Sequence, residues 1–186
     1  MKAVEMNIGS KIKKVRLGRK ITLEELASRT GFTKSYLSKI ETKNSSPPIG
    51  TLFRISKGLE VDISNFFPYA KADVSSAVVK KGKSKTIASR GTPYGYSYES
   101  LAFKMRSKKM EPFLVEFPPN TGEITLFQHE GEEVMYVLEG KMVFIHEDNK
   151  YILEEGDCIY FQSDFPHGGQ SYTNNSTKVF VVIYKP

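Results

Sequence analysis

At 186 residues, 39% of them hydrophobic, with twelve Phe and ten Tyr, the chain can fill one large or two small globular domains, and wholesale disorder is excluded. It holds no apolar run near the ~18 residues of a membrane helix, and its start, MKAVEMNIGSKIKK, lacks the apolar core of a secretory signal, so no membrane partner is expected. The net charge of +6 is unevenly spread: residues 1–70 carry +7, residues 71–110 carry +8 and the rest −9, which points to a polyanionic partner at one end only. The lone Cys158 excludes an intrachain disulfide framework and suits a reducing cytoplasm. Set within DCIYF, it reads as a small core residue.

In chain order, Ile8, Ile12 and Val15 recur at spacings of four and three, one stripe of a helix. ITLEELASRTGFTKSYLSKIET follows. Thr22 stands three residues before Glu25, a capping box that starts a second helix. Gly31 ends it, accepting the left-handed conformation. Thr33 caps a third helix whose inward residues are Leu37 and Ile40, flanked by Tyr36, and small Ala27 lets this helix cross the second closely. After Pro47-Pro48 breaks the chain, Leu52, Ile55 and Leu59 form another buried stripe. Two short helices joined by a glycine-bearing turn, inside a small basic bundle, are the helix-turn-helix arrangement.

This stretch resembles the phage-repressor (XRE) type of helix-turn-helix domain. Ala27, Gly31, Ser38, Glu41 and Pro47 stand at that family's pattern positions, whereas Leu23 and Lys34 stand where it often has Gln. The resemblance implies an all-α DNA-binding bundle over residues 1–68, with double-stranded operator DNA as partner. Lys34, Ser35, Ser38 and Lys39, at the exposed start of the third helix, would then reach base edges. Thr22, Thr33, Thr42, Lys43 and Asn44 suit phosphate oxygens, which position without specifying. For Thr22 and Thr33, capping is an equally good role.

Residues 69–76 read as a linker. AVVKKGKSKTIA then alternates as a strand–turn–strand, and YGYSYESLAF is strand-like, with Tyr94, Tyr96 and Tyr98 on one face. Lys80, Lys81, Lys83, Lys85, Arg106, Lys108 and Lys109 either extend a DNA-facing field or decorate solvated turns.

From residue 77 to 186 short strands recur between turn signals: PFLVEF, EVMYVLEG, MVFIHED, YILEEGD, CIYF, KVFVVIY. With no long helical period among them, an antiparallel barrel or sandwich is expected, making the chain α + β with two domains. His129 and Glu133 flank Glu130-Gly131-Glu132. Across a tight hairpin turn they would become two ready ligands for a divalent ion, with His167 a third from a later hairpin. His146 reads as a strand-end surface residue.

Gly122, His129, Glu133 and Gly140, then Gly156 and His167, fit the two motifs of the cupins. Phe127 stands in place of the first motif histidine, Gln162 and Asp164 in place of a proline and a glycine, and Ser171 in place of an asparagine. The resemblance implies a cupin barrel with a two-histidine, one-carboxylate site, which suits Fe(II) and also accepts Zn, Mn, Ni or Co. The alternative is a metal-free pocket in which the same three residues meet an organic ligand. Tyr96, Tyr98, Phe127 and Tyr136 are the expected pocket residues.

Taken together, the chain resembles the XRE–cupin transcriptional regulators. That implies a cytoplasmic DNA-binding homodimer whose cupin senses a small-molecule effector, and no enzymatic activity. A second resemblance is to hydroxypropylphosphonate epoxidase, also a helix-turn-helix plus cupin chain, in which a His-x3-Glu and a distant His hold iron. A metal-free repressor or antitoxin is the third reading.

Overall fold

The structure, a computed structural model, describes residues 8–42, 47–67, 74–88, 97–105, 108–119 and 124–186. Among these no helix is long and apolar enough to cross a membrane.

Four helices make the N-terminal bundle: α1 (Ile8–Gly18), α2 (Leu23–Thr30), α3 (Lys34–Thr42) and α4 (Ile49–Gly58), followed by a 3-10 turn at Ile63–Phe66. The expected stripes are the buried ones: Ile8 and Ile12, Leu37 and Ile40, then Leu52, Ile55 and Leu59. Thr22 caps α2, its hydroxyl accepting the Glu25 N–H at 3.1 Å. The Glu25 carboxylate turns instead to Arg29 one turn on, at 2.7 Å. Gly31 ends α2 at φ 69° and donates its N–H to the Ala27 carbonyl. The tightest helix crossing lies elsewhere than at Ala27. A Cβ on Gly9 would fall 2.0 Å from the Ile40 carbonyl oxygen, so α1 and α3 touch backbone to backbone.

One ion pair is sealed inside this bundle. Arg16 donates to both carboxylate oxygens of Glu41 at 2.7 and 2.8 Å and to the Ile21 carbonyl at 2.8 Å. Such a planar, two-point pairing satisfies most of the guanidinium's donors without water.

Nine strands follow: β1 (Lys85–Ala88), β2 (Ser97–Ser100), β3 (Met110–Phe117), β4 (Glu132–Glu139), β5 (Lys141–His146), β6 (Asn149–Glu154), β7 (Cys158–Gln162), β8 (His167–Ser171) and β9 (Thr177–Tyr184). They form a six-stranded sheet, β1-β2-β3-β9-β4-β7, and a three-stranded one, β6-β5-β8, all antiparallel. Phe113, Phe117, Val137, Phe144, Phe161, Val179, Val181 and Ile183 alternate inward to make the core between them. The expected barrel is thus a two-sheet antiparallel sandwich.

Several expectations need correcting. Only the second arm of the strand–turn–strand over 77–88 is a strand, because the first runs as irregular chain up to the turn at Lys81-Gly82. Cys158 is exposed, since β7 lies at a sheet edge and only Phe161 of its five residues is buried. Lys108 faces inward, paired with buried Glu111 at 2.9 Å, and extends no DNA-facing field. Strand β8, HGGQS, had no strand signal at all. Gly168 is required by crowding, as a Cβ there would come 2.3 Å from the Thr125 carbonyl oxygen, whereas one on Gly169 would meet the flexible end of Met142 at 2.7 Å. Tyr94 and Arg106, and the 69–73 part of the linker, lie outside the described residues.

Candidate metal centre and nucleic-acid interface

On α3 the amphipathic period turns Leu37 and Ile40 inward and leaves Lys34, Ser35 and Lys39 exposed, with Ser38 half-buried beside them. Lys34 is already paired, its ammonium resting on Glu24 of α2. The threonine hydroxyls serve the helices: Thr33 accepts the Tyr36 N–H at 3.1 Å, Thr42 donates to the Ser38 carbonyl at 2.7 Å, and Thr22 caps α2. All three remain exposed. Lys43 and Asn44 lie outside the described residues.

In the cupin domain His129, Glu133 and His167 converge, one ligand atom of each lying within 4.8 Å of the others. The route is not the expected tight hairpin. Residues 129–131 pair with Ser163, through His129 N–H to the Ser163 carbonyl and Ser163 N–H to the Gly131 carbonyl, both at 2.9 Å. Gly131 then bends the chain at φ 115°, and a Cβ there would fall 2.2 Å from the Tyr184 carbonyl oxygen. This bend brings the histidine onto the first inward residue of β4. Phe127 and His167 exchange backbone hydrogen bonds at 2.7 and 2.8 Å, which sets the third donor.

All three side chains are buried. His129 Nε2 lies 2.7 Å from Glu133 Oε1, and His167 Nε2 lies 3.4 Å from the same oxygen. The two rings stand nearly perpendicular, at 84° with centroids 5.3 Å apart. Each Nδ1 is spoken for by a backbone carbonyl, Glu130 at 3.2 Å for His129 and Phe165 at 2.9 Å for His167. That fixes the tautomer and turns both Nε2 atoms toward the carboxylate, as metal-ligating imidazoles are held. His129 Nε2, though buried and close to Glu133, makes no hydrogen bond of acceptable geometry. A buried nitrogen of that kind, beside a carboxylate and a second imidazole, fits a divalent cation shared by all three.

The electrostatics follow from the burial. Desolvation alone would raise the Glu133 carboxyl, but the closeness of the His129 and His167 imidazoles outweighs it and holds it at about 2. For His129 desolvation pulls the other way, and the Glu133 carboxylate with the Glu130 carbonyl raises it above the usual imidazole value.

Four residues were expected around this cluster. Phe127 is half-buried and packs toward α4, its Cβ 3.2 Å from where a Gly50 Cβ would stand. Tyr98 is buried edge-on to Phe113, its hydroxyl given to the Pro47 carbonyl at 2.6 Å, so it fastens the two domains together. Tyr136 is a correction: it is 42% exposed on the outer face of β4, because the two-residue period puts Glu133, Met135 and Val137 inward. Tyr96 lies outside the described residues. His146, expected at a surface strand end, is half-buried against Phe161 and Phe165 and reaches the Gln162 carbonyl at 3.0 Å.

Two neighbours were not foreseen. Ser163, fully buried, donates to Glu133 Oε1 at 3.3 Å. Phe53 of α4 stacks on His129 at 5.2 Å and 22°. A serine after a strand carries no signal of this kind, and Phe53 belongs to the other domain's helical stripe.

Comparison with known proteins agrees with both halves. The helix-turn-helix family model HTH_3 matches residues 12–66, and the cupin-domain model Cupin_2 matches residues 113–184. The HTH-type transcriptional regulator PuuR of Escherichia coli (strain K12) is 25% identical over 176 residues, covering 94% of this chain and 91% of its own length. The crystal structure of an HTH_3 family transcriptional regulator from Vibrio cholerae covers 98% of this chain and 97% of its own, with a TM-score of 0.70 at 24% identity. Hydroxypropylphosphonic acid epoxidase from S. wedmorenis shares the fold at a TM-score of 0.53 and 21% identity, over 99% of this chain and all of its own. Its likeness is one of architecture, whereas the similarity to regulators runs through sequence and fold together. The chain therefore joins a helix-turn-helix domain to a cupin domain, and over nearly its whole length it is similar to a transcriptional regulator.

Proposed function

We propose that this protein is a sequence-specific DNA-binding transcriptional regulator, acting in the cytoplasm as a homodimer, whose cupin binds a divalent metal ion, a small-molecule effector, or both. The observation that carries it is one chain holding an exposed basic face on α3 and a buried three-donor cluster in a separate sandwich. We divide it into a DNA-binding domain at 1–68, a linker at 69–76 and a sensor at 77–186. It is a regulator and not an enzyme, as its relatives are regulators.

Lys34, Ser35, Ser38 and Lys39 read base edges, with Lys34 exchanging Glu24 for DNA. Thr22, Thr33, Thr42, Lys43 and Asn44 meet phosphates, and because the gain from releasing DNA counterions shrinks as salt rises, binding falls steeply with salt. Two copies would bind half-sites about one helical turn apart. In the cupin, His129, Glu133 and His167 hold the cation, which supplies a fixed positive charge there and can accept a donor atom of an effector. Ser163 steadies the carboxylate.

Metal analysis of the purified protein, mass spectrometry of molecules released on denaturation, and selection of duplexes from a random pool test this together. Expected are a first-row divalent metal or a recurring small molecule, and a selected site whose affinity drops by orders of magnitude between low and physiological salt. Protein that selects no duplex, or binds DNA with a flat salt response, overturns the regulator.

A further inference from the structure

The cluster of His129, Glu133 and His167 is not enclosed by the cupin alone. Helix α4 of the DNA-binding domain lies against it. Phe53, itself buried, stacks on the His129 ring. Gly50, one turn earlier, lets the helix approach, since a Cβ there would stand 3.1 Å from His129 Cδ2. Three further contacts pin the same helix and its flanks. Tyr98 holds the Pro47 carbonyl just before it, and Lys57 pairs with Glu130, the neighbour of His129. Past its end, Lys185 of the cupin bonds Asp62 at 2.8 Å.

The His129 edge of the cluster faces the same seam. Two clefts reach His129, one of about 710 Å³ and one of about 430 Å³. The first runs between Arg29, Arg54 and Lys57 of the helical domain and Gln128, Glu130 and Asp164 of the cupin. The second is walled by Phe53 and Ile63 on one side and Lys185 on the other. Both have α4 as a wall.

An adjoining face of α4 is tied to the turn that orients the reading helix. Arg54, next to Phe53, donates to the Thr30 carbonyl at 2.5 Å and lies over the Phe32 ring with its Cζ 4.5 Å from the centroid. Thr30, Gly31 and Phe32 are the connection from α2 to α3. A rigid helix thus has the imidazole on one residue and the recognition turn on the next.

We propose that the cluster is an interdomain site: a divalent cation enters along the α4 seam, and its occupancy reaches the α2–α3 turn within one chain, through Phe53 and Arg54. This rests on the proposed function above and specifies its regulation. A cation shared by the three donors would have to part His129 Nε2 from Glu133 Oε1, now 2.7 Å apart, and so would shift the ring on which Phe53 stacks. The interface is packed, so such a shift is passed to the helix rather than absorbed.

The test uses the full chain, zinc(II) or cobalt(II) as the probe, and the duplex selected by the wild type. Saturating metal should change wild-type DNA affinity at least about fivefold, the lower end of measured couplings between sites. Phe53→Leu, which keeps an apolar side chain but removes the ring, should bind metal within about threefold of wild type, with its own DNA affinity little changed and the metal response lost. The chain contains no tryptophan, so Phe53→Trp installs a single reporter on His129. Its emission should change along the metal-binding curve measured by heat, whereas that of Tyr151→Trp on exposed β6 should not. A full metal response in Phe53→Leu, a wild type whose DNA affinity ignores bound metal, or unmoved emission in Phe53→Trp at metal saturation each overturns the inference while leaving the metal site standing. Uptake of neither metal by the wild type overturns the metal reading itself, and this inference with it.

Discussion

The helical domain buries the Arg16 guanidinium against Glu41 in a two-point pair, and keeps Lys34 and Lys39 on its surface. The cupin buries Glu133 between imidazoles that exist charged or neutral. Both clusters carry the desolvation cost of buried charge, yet they answer it differently. The arginine cannot lose its proton at any working pH, so its pair is a fixed part of the fold. Histidines can release protons to solvent and lone pairs to a metal, so their cluster can change state without unfolding the sandwich. Fixed charge fits a scaffold for reading DNA, and exchangeable charge fits a sensor.

The largest effect should come from breaking the fixed pair. Glu41→Ala strands the Arg16 charge inside the bundle and should cost about 3–5 kcal/mol in chemical denaturation of the helical domain. An apolar double change, Arg16→Met with Glu41→Leu, should recover most of that loss. If Glu41→Ala melts like the wild type, the pair is not the scaffold it looks to be.

Glu133→Gln attacks the exchangeable cluster in the same way, yet it should act on ligand rather than fold. It removes the central anion, and zinc affinity measured by competition with a chromophoric chelator should fall by more than the roughly 10–100-fold typical of losing an outer partner. On the surface, Lys34→Ala should cost about 1–3 kcal/mol at one base pair of the selected site and leave affinity for random duplex nearly unchanged. Selection returning the wild-type site would place the reading contacts elsewhere on α3.

The smallest expected effect is a pH window in the metal-free cupin. Glu133 is held at about 2 against an ordinary 4.5, so its contribution is present above 4.5 and lost as pH falls toward 2. His129 is raised above 6.5, so its contribution is present below 6.5 and lost as pH rises through the raised value. Thermal melts with chelator present should therefore peak between about 4.5 and 6.5, on the scale of these ordinary values. Melts that keep rising from pH 6 to 8 would show that the cluster does not hold its protons in this way. Added zinc should shift the optimum upward, because a metal needs the unprotonated imidazole.

How far the sequence carries this picture differs between the domains. Local signals sufficed for the helices: Thr22 caps, Gly31 turns, and the stripes through Leu37 and Leu52 are the ones buried. The three donors were legible as well, because residue type and spacing name them. The Gly131 bend was not, since it depends on how close the Tyr184 carbonyl comes, a contact 53 residues away. Strand β8 escaped for a similar reason, its Gly168 being dictated by the Thr125 carbonyl across the fold. Tyr136 was misassigned where the alternation along β4 already points it outward. Nothing local marks Phe53 as a neighbour of His129, for periodicity describes which face of a helix is buried but not what lies on the far side of the burial.

Strand β9 adds a consequence of timing. It lies between β3 and β4 and pairs with both over nearly its whole length, although it is the last strand of the chain. On the ribosome the helical bundle, whose internal contacts lie within some 60 residues, can form before the strands that follow it. The large sheet must wait for residues 177–184 to emerge before its two halves have anything to join them. A nascent chain therefore passes through an interval in which the reading helix is folded, Phe53 has no imidazole to rest on, and the molecule can meet DNA before it can sense anything.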